Sequence, residues 1–377
     1  MTHAGFAQEV PNGKNYPERD ASRSAAASET PQAIITVAPG QSIQDAVDRA
    51  EPGDRVQILP GVYHESVVVD FDDIELVGVV ENGQRPVLDG HGEMNDAIMV
   101  SGHNFLIQGI EMRNYKANGV VVNQAKNVTF RDVIGVNTGK YAVYPVQCDG
   151  VLIENCIATD VWDAGIYAGQ CKNVEIRNCV AFRNTIGIEA ENSENVLIHS
   201  NTTFNNSLGI LIVLLPNLPS KIAENAMVTN NHVFDNNYPN KAPEGQIVSG
   251  VVPGTGVLVA AADKTEVTRN DIRGNGTFGI LVAALTDSME EGQQIGDRTI
   301  TIDVEPNPDN NYIHGNKLQN NGNGEMPARY AALGLTQGVD LMWTGKGTGN
   351  VWDEAKATRF PPNLPGPAAE PAMGGGL

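Results

Sequence analysis

Apolar and polar residues alternate along much of this chain, in short segments that are separated by turns. Within one such unit Val174 and Ile176 alternate with polar residues, and after a turn Ile188 and Ala190 do the same. A period of two is typical of β-strands, because successive side chains of a strand point to opposite faces. The segments are rich in Val and Ile, and Asn, Asp and Gly separate them without room for a helix. The pattern therefore predicts an all-β chain.

The strand pattern repeats every 22 or 23 residues. Two landmarks keep this period, an apolar residue in the first strand of each unit and a small residue that opens the next strand. The landmarks are Ile107, Phe130, Ile153, Ile176 and Ile198, and Gly119, Ala142, Gly165, Gly187 and Gly209. Such a period predicts a solenoid, in which each repeat covers the apolar face of the next. The consensus of leucine-rich repeats is missing. The units therefore predict a right-handed parallel β-helix with turns about 4.8 Å apart.

The opening of the repeat region supports this fold by resemblance. Residues 35–47 read ITVAPGQSIQDAV, residues 52–54 read PGD, and residues 59–63 read LPGVY. With these segments the chain resembles the pectin-lyase-like β-helix superfamily over about residues 34–350. Residues 163–192 also resemble a group of bacterial β-helix repeat proteins of unassigned function. The superfamily contains lyases, hydrolases, epimerases and inert binding proteins, so the resemblance implies a fold and leaves the activity open.

The chain divides into three parts. Residues 1–33 are polar and rich in Ala, Ser and Pro, and we expect no fixed structure there. Residues 34–350 form the predicted β-helix, with a short amphipathic helix after Ser42 that caps its N-terminal end. Residues 351–377 are expected to be a loose C-terminal tail, because they contain Pro361-Pro362 and a final run of glycines.

Charge limits the partners of this chain. The formal net charge of the 377 residues is −20, which argues against nucleic acid and anionic membrane surfaces and weighs against a polyanionic substrate. No apolar run reaches membrane-spanning length. Residues 5–8 read GFAQ and could be the remnant of a signal cleavage site, although an added start methionine explains them equally well. We expect a periplasmic or extracellular protein.

The four cysteines are spaced like the repeat. Cys148 and Cys171 are 23 residues apart, and so are Cys156 and Cys179. Equivalent positions of adjacent turns have parallel Cβ vectors about one strand spacing apart, which is long for a disulfide. We therefore expect stacked thiols. A metal site of the Cys-x-x-Cys type is not present in the sequence.

Three segments interrupt the period, and they are the main clue to a binding site. They cover residues 214–219, 236–255 and 286–310, and residues 311–322 resemble a last turn of the solenoid. Long excursions from a solenoid commonly wall a groove on one face, so we expect a groove here. The alternative is that they only cover the side of the core or mediate assembly.

The strand after each small residue carries the candidate chemistry. Its inward column is Val120, Val143, Ile166, Ile188 and Ile210, so the residues between them point outward. The outward set includes Tyr144, Tyr167, Glu189 and Glu191, with Lys140 and Asp163 just before the strand and Gln170 and Asn192 just after it.

These residue types fit two chemistries. Glu189, Glu191 and Asp163 could act as acid and base in glycoside cleavage, or could bind a calcium ion. Tyr144 or Tyr167 could instead be the base or the acid of a uronate lyase, with Lys140, Gln170 or a cation as neutraliser. The alternative is that the polar column is solvated surface and the tyrosines only stabilise the stack.

One hexapeptide permits a direct comparison. Residues 141–146 read YAVYPV and are similar to the Tyr-Gly-Phe-Asp-Pro-His motif of mannuronan C5-epimerases. Tyr144 and Val146 stand where that motif has Asp and His, so epimerase activity of the known type is not expected.

The sequence thus predicts a carbohydrate-active enzyme, either a polysaccharide lyase or a glycoside hydrolase, with Tyr144, Tyr167, Asp163, Glu189 and Glu191 as catalytic residues. The predicted substrate-binding residues are Lys140, Gln170, Asn192, Tyr238 and Lys241. The expected partner is a polysaccharide or oligosaccharide, no cofactor is required, and calcium is possible. The alternative is a non-catalytic β-helix that binds a glycan or a protein at the cell surface.

Overall fold

The chain folds into a coil of parallel strands that stack into three long sheets. The computed structural model describes residues 31–324, 326, 328–331, 334–354 and 356–367. The N-terminal segment that was expected to lack fixed structure covers residues 1–33, and its residues 1–30 lie outside the described part of the chain. Neighbouring strands in the three sheets are parallel and the strand order follows the chain, so the right-handed parallel β-helix predicted from the repeat is confirmed.

Each complete turn of the coil contributes one strand to each sheet, in the order first, second, third, whereas the turns at the two ends are incomplete. The first sheet has 12 strands: Ile34–Val37, Arg55–Ile58, Glu75–Gly78, Leu106–Gln108, Lys126–Arg131, Asp149–Glu154, Lys172–Arg177, Glu194–His199, Glu224–Thr229, Glu266–Thr268, Tyr312–His314 and Val351–Asp353. The second sheet has 10 strands: Gly61–Tyr63, Pro86–Asp89, Glu111–Arg113, Ile134–Val136, Ile157–Thr159, Val180–Phe182, Thr202–Phe204, His232–Phe234, Asp271–Arg273 and Lys317–Gln319. The third sheet has 11 strands: Val67–Val69, Asp96–Val100, Asn118–Asn123, Tyr141–Val146, Ala164–Gly169, Ile186–Glu191, Leu208–Val213, Thr255–Ala260, Phe278–Ala283, Val339–Trp343 and Arg359–Phe360.

Other elements are short. The α-helices are Ile43–Val47 and Ala328–Ala331, and the 3-10 helices are Ile247–Gly250 and Leu285–Asp287. Gln294–Ile295 and Arg298–Thr299 form a small antiparallel hairpin within the third excursion. Among the described residues no helix combines the length and the apolar character that a membrane span requires.

The interior of the coil is a continuous apolar core. The five residues of the predicted inward column are all buried, and Val120, Val143, Ile166, Ile188 and Ile210 have no exposed surface. Sharp corners between strands use the left-handed backbone conformation, which Asn adopts more readily than most residues. Asn155 and Asn178, at the corner after the first sheet, have φ values of 56° and 54°.

Buried asparagines form a ladder at the corner between the second and third sheets. Asn206 Oδ1 accepts from the backbone N–H of Asn184 at 3.0 Å, and Asn206 Nδ2 donates to Asn236 Oδ1 at 3.0 Å. The chain of contacts continues through Asn275 to Asn321. Each amide pairs backbone groups that would otherwise be buried without partners, so the ladder stabilises the corner turn by turn.

The N-terminal end is closed by the predicted helix. Ser42 Oγ accepts a hydrogen bond from the N–H of Asp45 at 3.1 Å, and the apolar face of Ile43, Ala46 and Val47 is fully buried. The Glu65 carboxylate also accepts from the N–H of Ile43 at 2.8 Å, an anion in the position that the helix dipole favours. The helix covers the end of the core.

The C-terminal boundary predicted at residue 350 is wrong. Val351–Asp353 pairs with Tyr312–His314, and Arg359–Phe360 pairs with Leu341 and Met342, so the solenoid continues past the turn that was expected to be the last. The sequence concealed this because the next turn is long: Asn311 and Asn350, which occupy equivalent corner positions, are 39 residues apart. The part of the tail after residue 367 lies outside the described residues.

The predicted cysteine stacks are confirmed. All four cysteines are free and buried. The N–H of Cys148 donates to Cys171 Sγ at 3.4 Å, and Cys156 and Cys179 repeat this contact at the same distance.

Candidate active site

The predicted outward residues lie on the third sheet in the expected register. Tyr167 stands opposite Glu189, Gly169 opposite Glu191, and Glu189 opposite Leu211. The side chains on this face form an apolar cluster that is separate from the solenoid core. The columns read from the sequence therefore bring the tyrosines and carboxylates together on one outer face.

Three tyrosines form the centre of the cluster. The ring centroids of Tyr144 and Tyr167 are 5.0 Å apart, and the Tyr141 ring lies 4.5 Å from the first and 4.6 Å from the second. Sequence reasoning missed Tyr141 as part of this site. Strict alternation from the inward Val143 assigns Tyr141 to the core, but it is the first residue of its strand and packs with the outer cluster.

The groove expected over these residues is covered in the structure. Tyr167, Glu189 and Glu191 are only 3%, 4% and 9% exposed although they lie outside the coil. Residues of the second excursion, including Ala242, Val248 and Val251, pack against the same cluster as the tyrosines. We call this cover, which residues 236–255 form together with the 294–299 hairpin, the roof.

The excursions support one another over the site. A Cβ atom on Gly296 in the hairpin would lie 2.7 Å from the backbone oxygen of Gly245 in the second excursion, so the two backbones are in close contact. Asn217 of the first excursion donates to Thr299 O at 3.0 Å, and its N–H donates to Asp303 at 2.9 Å. Excursions far apart in sequence thus meet above one face of the sheet.

Burial gives the carboxyl groups unusual proton affinities. It raises the pKa of Asp163 to about 6, even though Lys140 Nζ lies 3.9 Å from Asp163 Oδ2 and favours the charged form. It raises the pKa of Glu191 to about 7, against the opposing effect of the Tyr167 hydrogen bond. The pKa of Glu189 lies well above its ordinary value because of burial and the charges of Asp163 and Glu191. Groups with such different proton affinities in one site are typical of acid and base pairs.

The tyrosines are hydrogen-bond donors here. The Tyr167 hydroxyl donates to Glu191 Oε1 at 2.5 Å. Burial raises the pKa of Tyr167 well above 10, with the Glu191 charge as the next cause, and it also raises the pKa of Tyr144. Both phenols therefore stay protonated near neutral pH, which argues against the expected use of Tyr144 or Tyr167 as a base.

The geometry gives no support to a metal ion at this place. Within the described residues no three His, Cys, Asp or Glu side chains are arranged so that they could hold one. One oxygen of Glu191 is already engaged by Tyr167. Calcium binding by Glu189, Glu191 and Asp163 stays a prediction.

The residues predicted to bind substrate are dispersed. Lys140 lies beside Asp163 and over the Tyr141 ring, at 4.8 Å from its centroid. The Gln170 side chain accepts from Gln147 at 3.4 Å, in a row of corner residues. Of these two predicted substrate-binding residues, Lys140 lies next to the Asp163 carboxylate and Gln170 does not contact the carboxyl cluster through this bond.

The other predicted substrate-binding residues hold the excursions. The Asn192 amide is buried, donates to Leu215 O at 2.8 Å and to Ser220 O at 2.6 Å, and so anchors the first excursion. Tyr238 and Lys241 hydrogen-bond to each other at the start of the second excursion. Their contacts give these residues a structural role, and ligand binding by them stays a prediction.

Comparison with known proteins agrees with the fold. Residues 91–225 match the family described as the right handed beta helix region. The structure is similar to the A-module of mannuronan C-5 epimerase AlgE6 from Azotobacter vinelandii, with TM-score 0.60, 18% identity, and coverage of 86% of this chain and 91% of that one. It is also similar to the Family 28 exopolygalacturonase of Yersinia enterocolitica, with TM-score 0.55, 11% identity, and coverage of 86% and 72%. No curated protein matches the sequence. The chain folds as a right-handed parallel β-helix, as the matched family description and these similar structures agree.

Proposed function

We propose that this protein is a carbohydrate-active enzyme, and specifically a glycoside hydrolase for a neutral glycan. The observation that carries the proposal is the cluster of three buried carboxyl groups beside the tyrosines, with their pKa values spread upward from about 6. Hydrolysis of a glycosidic bond needs one protonated and one ionised carboxyl group, and this cluster offers both near neutral pH.

The roles follow from the environment of each group. Glu189, whose pKa burial and the charges of Asp163 and Glu191 raise well above its ordinary value, is the general acid, which protonates the oxygen of the leaving sugar. Asp163 ionises at lower pH than Glu191 and is the better candidate for the base that accepts a proton from water. Tyr167 holds the Glu191 carboxylate in place through its hydroxyl. The roof covers the tyrosine rings, so they offer apolar surface to a sugar ring only after the roof moves.

Two features disfavour the lyase alternative. A lyase of the expected kind needs a tyrosinate or another base together with a neutraliser for the uronate, and both outer tyrosines stay protonated. Lys140 lies beside Asp163, and the charge of Arg298 in the hairpin also acts on Glu191, so these two cations face three acidic groups. A neutral glycan avoids the repulsion that a polyuronate would meet.

The similar structures support a carbohydrate substrate only through their fold. The epimerase and the exopolygalacturonase are named for reactions on polysaccharides, and both carry the same coil. The replacement of the epimerase Asp and His by Tyr144 and Val146 weighs against that chemistry. We also propose a periplasmic or extracellular location, where such polymers are met.

The test is a screen of the purified protein against neutral and acidic polysaccharides, with and without calcium. Glu189→Gln is expected to abolish product formation, because Gln cannot donate the proton. Glu194→Gln, which removes a partly exposed carboxylate that pairs with Lys172 at 3.0 Å on the first sheet, is the matched control and should retain activity. Full activity of Glu189→Gln would refute the role of Glu189. Unsaturated products would identify a lyase instead.

The closed roof favours a second candidate, a β-helix that binds a glycan or a partner protein without catalysis. With Tyr167 and the two glutamates almost fully covered, a polymer reaches them only after the roof moves. Retention on a glycan column without any product, in the wild type and in Glu189→Gln alike, would support this candidate over the enzyme.

A further inference from the structure

Two histidines face each other on adjacent turns near the N-terminal end of the coil. His64 follows the strand Gly61–Tyr63, and His91 lies two residues after the strand Pro86–Asp89, with which the first strand pairs in register. Both side chains are exposed. Their ring centroids are 4.0 Å apart, and the two Nε2 atoms are separated by 3.2 Å. The pair lies outside the candidate active site.

The separation of the two nitrogens fits a shared metal ion. Zinc binds imidazole nitrogens at about 2.0–2.1 Å in tetrahedral geometry, which places two such ligands about 3.3 Å apart. The observed 3.2 Å between His64 Nε2 and His91 Nε2 is close to this value. Little movement of either ring is therefore needed for both nitrogens to reach one ion.

The surroundings of His64 leave a lone pair on the nitrogen that faces His91. His64 Nδ1 lies 3.2 Å from the backbone oxygen of Asp89, which only accepts hydrogen bonds. The proton of the neutral ring is therefore on Nδ1, and Nε2 carries a lone pair. A ligand histidine whose second nitrogen donates to a carbonyl is the arrangement found around protein-bound metals. His91 binds a metal through Nε2 when its own proton is on Nδ1.

Asp89 makes the platform under the pair rigid. Its carboxylate is buried and accepts from the N–H of His91 at 3.0 Å, from Arg113 Nε at 2.8 Å and from Asn114 Nδ2 at 3.1 Å. These bonds fix the turn that carries His91 against the next turn of the coil, and the contact of His64 Nδ1 with the Asp89 backbone oxygen ties His64 to the same residue. Preorganisation of this kind lowers the entropy cost of binding an ion.

We propose that His64 and His91 bind a divalent transition-metal ion of the zinc type through their Nε2 atoms. Within the described residues no third acidic, thiol or imidazole side chain completes the set, so water fills the remaining positions. The ion links two adjacent turns of the coil next to its capped end.

The test is calorimetric titration of the full chain with Zn²⁺ at neutral pH. All samples carry His3→Gln, so that an imidazole near the amino terminus does not contribute. We expect one Zn²⁺ per chain, and His64→Gln and His91→Gln should each weaken binding at least about tenfold. His232→Gln removes an exposed histidine that lies 3.8 Å from Asp271, and it serves as the matched control with unchanged affinity.

A second measurement identifies the ligand atoms. Zinc should shift the ¹⁵N resonances of Nε2 in both His64 and His91. It should also raise the unfolding temperature of the wild type but not of the double variant, which combines His64→Gln with His91→Gln. Equal zinc affinity in the wild type and the double variant would overturn the proposal. So would a shift confined to one of the two rings. In either case the pair would be a hydrogen bond between histidines and nothing more.

Discussion

The buried Glu191 makes the stability of this protein depend on pH in a way that one substitution can isolate. Burial raises the Glu191 pKa from its ordinary value of 4.5 to about 7. Between these values the folded chain holds a proton that the unfolded chain has released, so folding stability falls as the pH rises. The stabilisation is complete below pH 4.5 and is lost above pH 7. The whole difference corresponds to about 3 kcal/mol, as an upper value because Asp163 and Glu189 are coupled to Glu191.

Replacement by glutamine removes this dependence and keeps the local contact. The amide oxygen of the introduced glutamine can still accept from the Tyr167 hydroxyl, which donates to Glu191 Oε1 at 2.5 Å in the wild type. We expect Glu191→Gln to be more stable than the wild type by about 3 kcal/mol at pH 8, and equal to it within about 0.5 kcal/mol at pH 4. Urea unfolding followed by circular dichroism at several pH values measures the difference.

The control separates burial from net charge. Glu81→Gln removes an exposed carboxylate and relieves the same general repulsion in a chain of net charge −20. Its effect should stay below about 0.5 kcal/mol at both pH values. A gain for Glu191→Gln that is independent of pH, or that equals the gain for Glu81→Gln, would refute the raised pKa and with it the assignment of protons in the site.

Other predictions concern the roof, the asparagine ladder and the thiols. Gly296→Ala should speed hydrogen exchange in the roof, because its Cβ would lie 2.7 Å from Gly245 O. Gly292→Ala, also at positive φ but with no atom within 4 Å, should not. Asn206→Ala should lower the free energy of unfolding by about 3 kcal/mol, since three buried hydrogen bonds are lost. Asn307→Ala, which loses one exposed local hydrogen bond to Glu305, should change it by under about 1 kcal/mol in the same urea assay. The four thiols should react with a thiol reagent only after unfolding, because all four are buried and the folded chain keeps the reagent from them.

The coil was predictable because its determinants are local and periodic. The alternation of Val174 and Ile176 with polar residues identifies the side chains that point inward. The 23-residue spacing then places Ile176 beside Ile153 of the preceding turn. Both follow from strand geometry, in which side chains alternate and neighbouring strands stack in register. The same reasoning placed Tyr167 opposite Glu189 and the cysteines in stacks.

The roof was not predictable because it has no period. Nothing in residues 236–255 or 286–310 indicates that Gly245 and Gly296 touch, and the burial of Glu189 depends on that cover. Alternation alone gives an outward direction, and it says nothing about whether water reaches the side chain. The last turn of the coil was missed for a related reason, since the long insertion before Asn350 hides its spacing.

The asparagine ladder tolerates large changes in the length of a turn. Successive members Asn206, Asn236, Asn275 and Asn321 are separated by 30, 39 and 46 residues, yet each amide meets the next at 3.0 or 3.1 Å. Inserted chain is therefore looped out at the corners while the stack above and below stays in place. Evolution, or a designer, can graft a new binding loop onto this scaffold at those corners without re-engineering the coil that carries it.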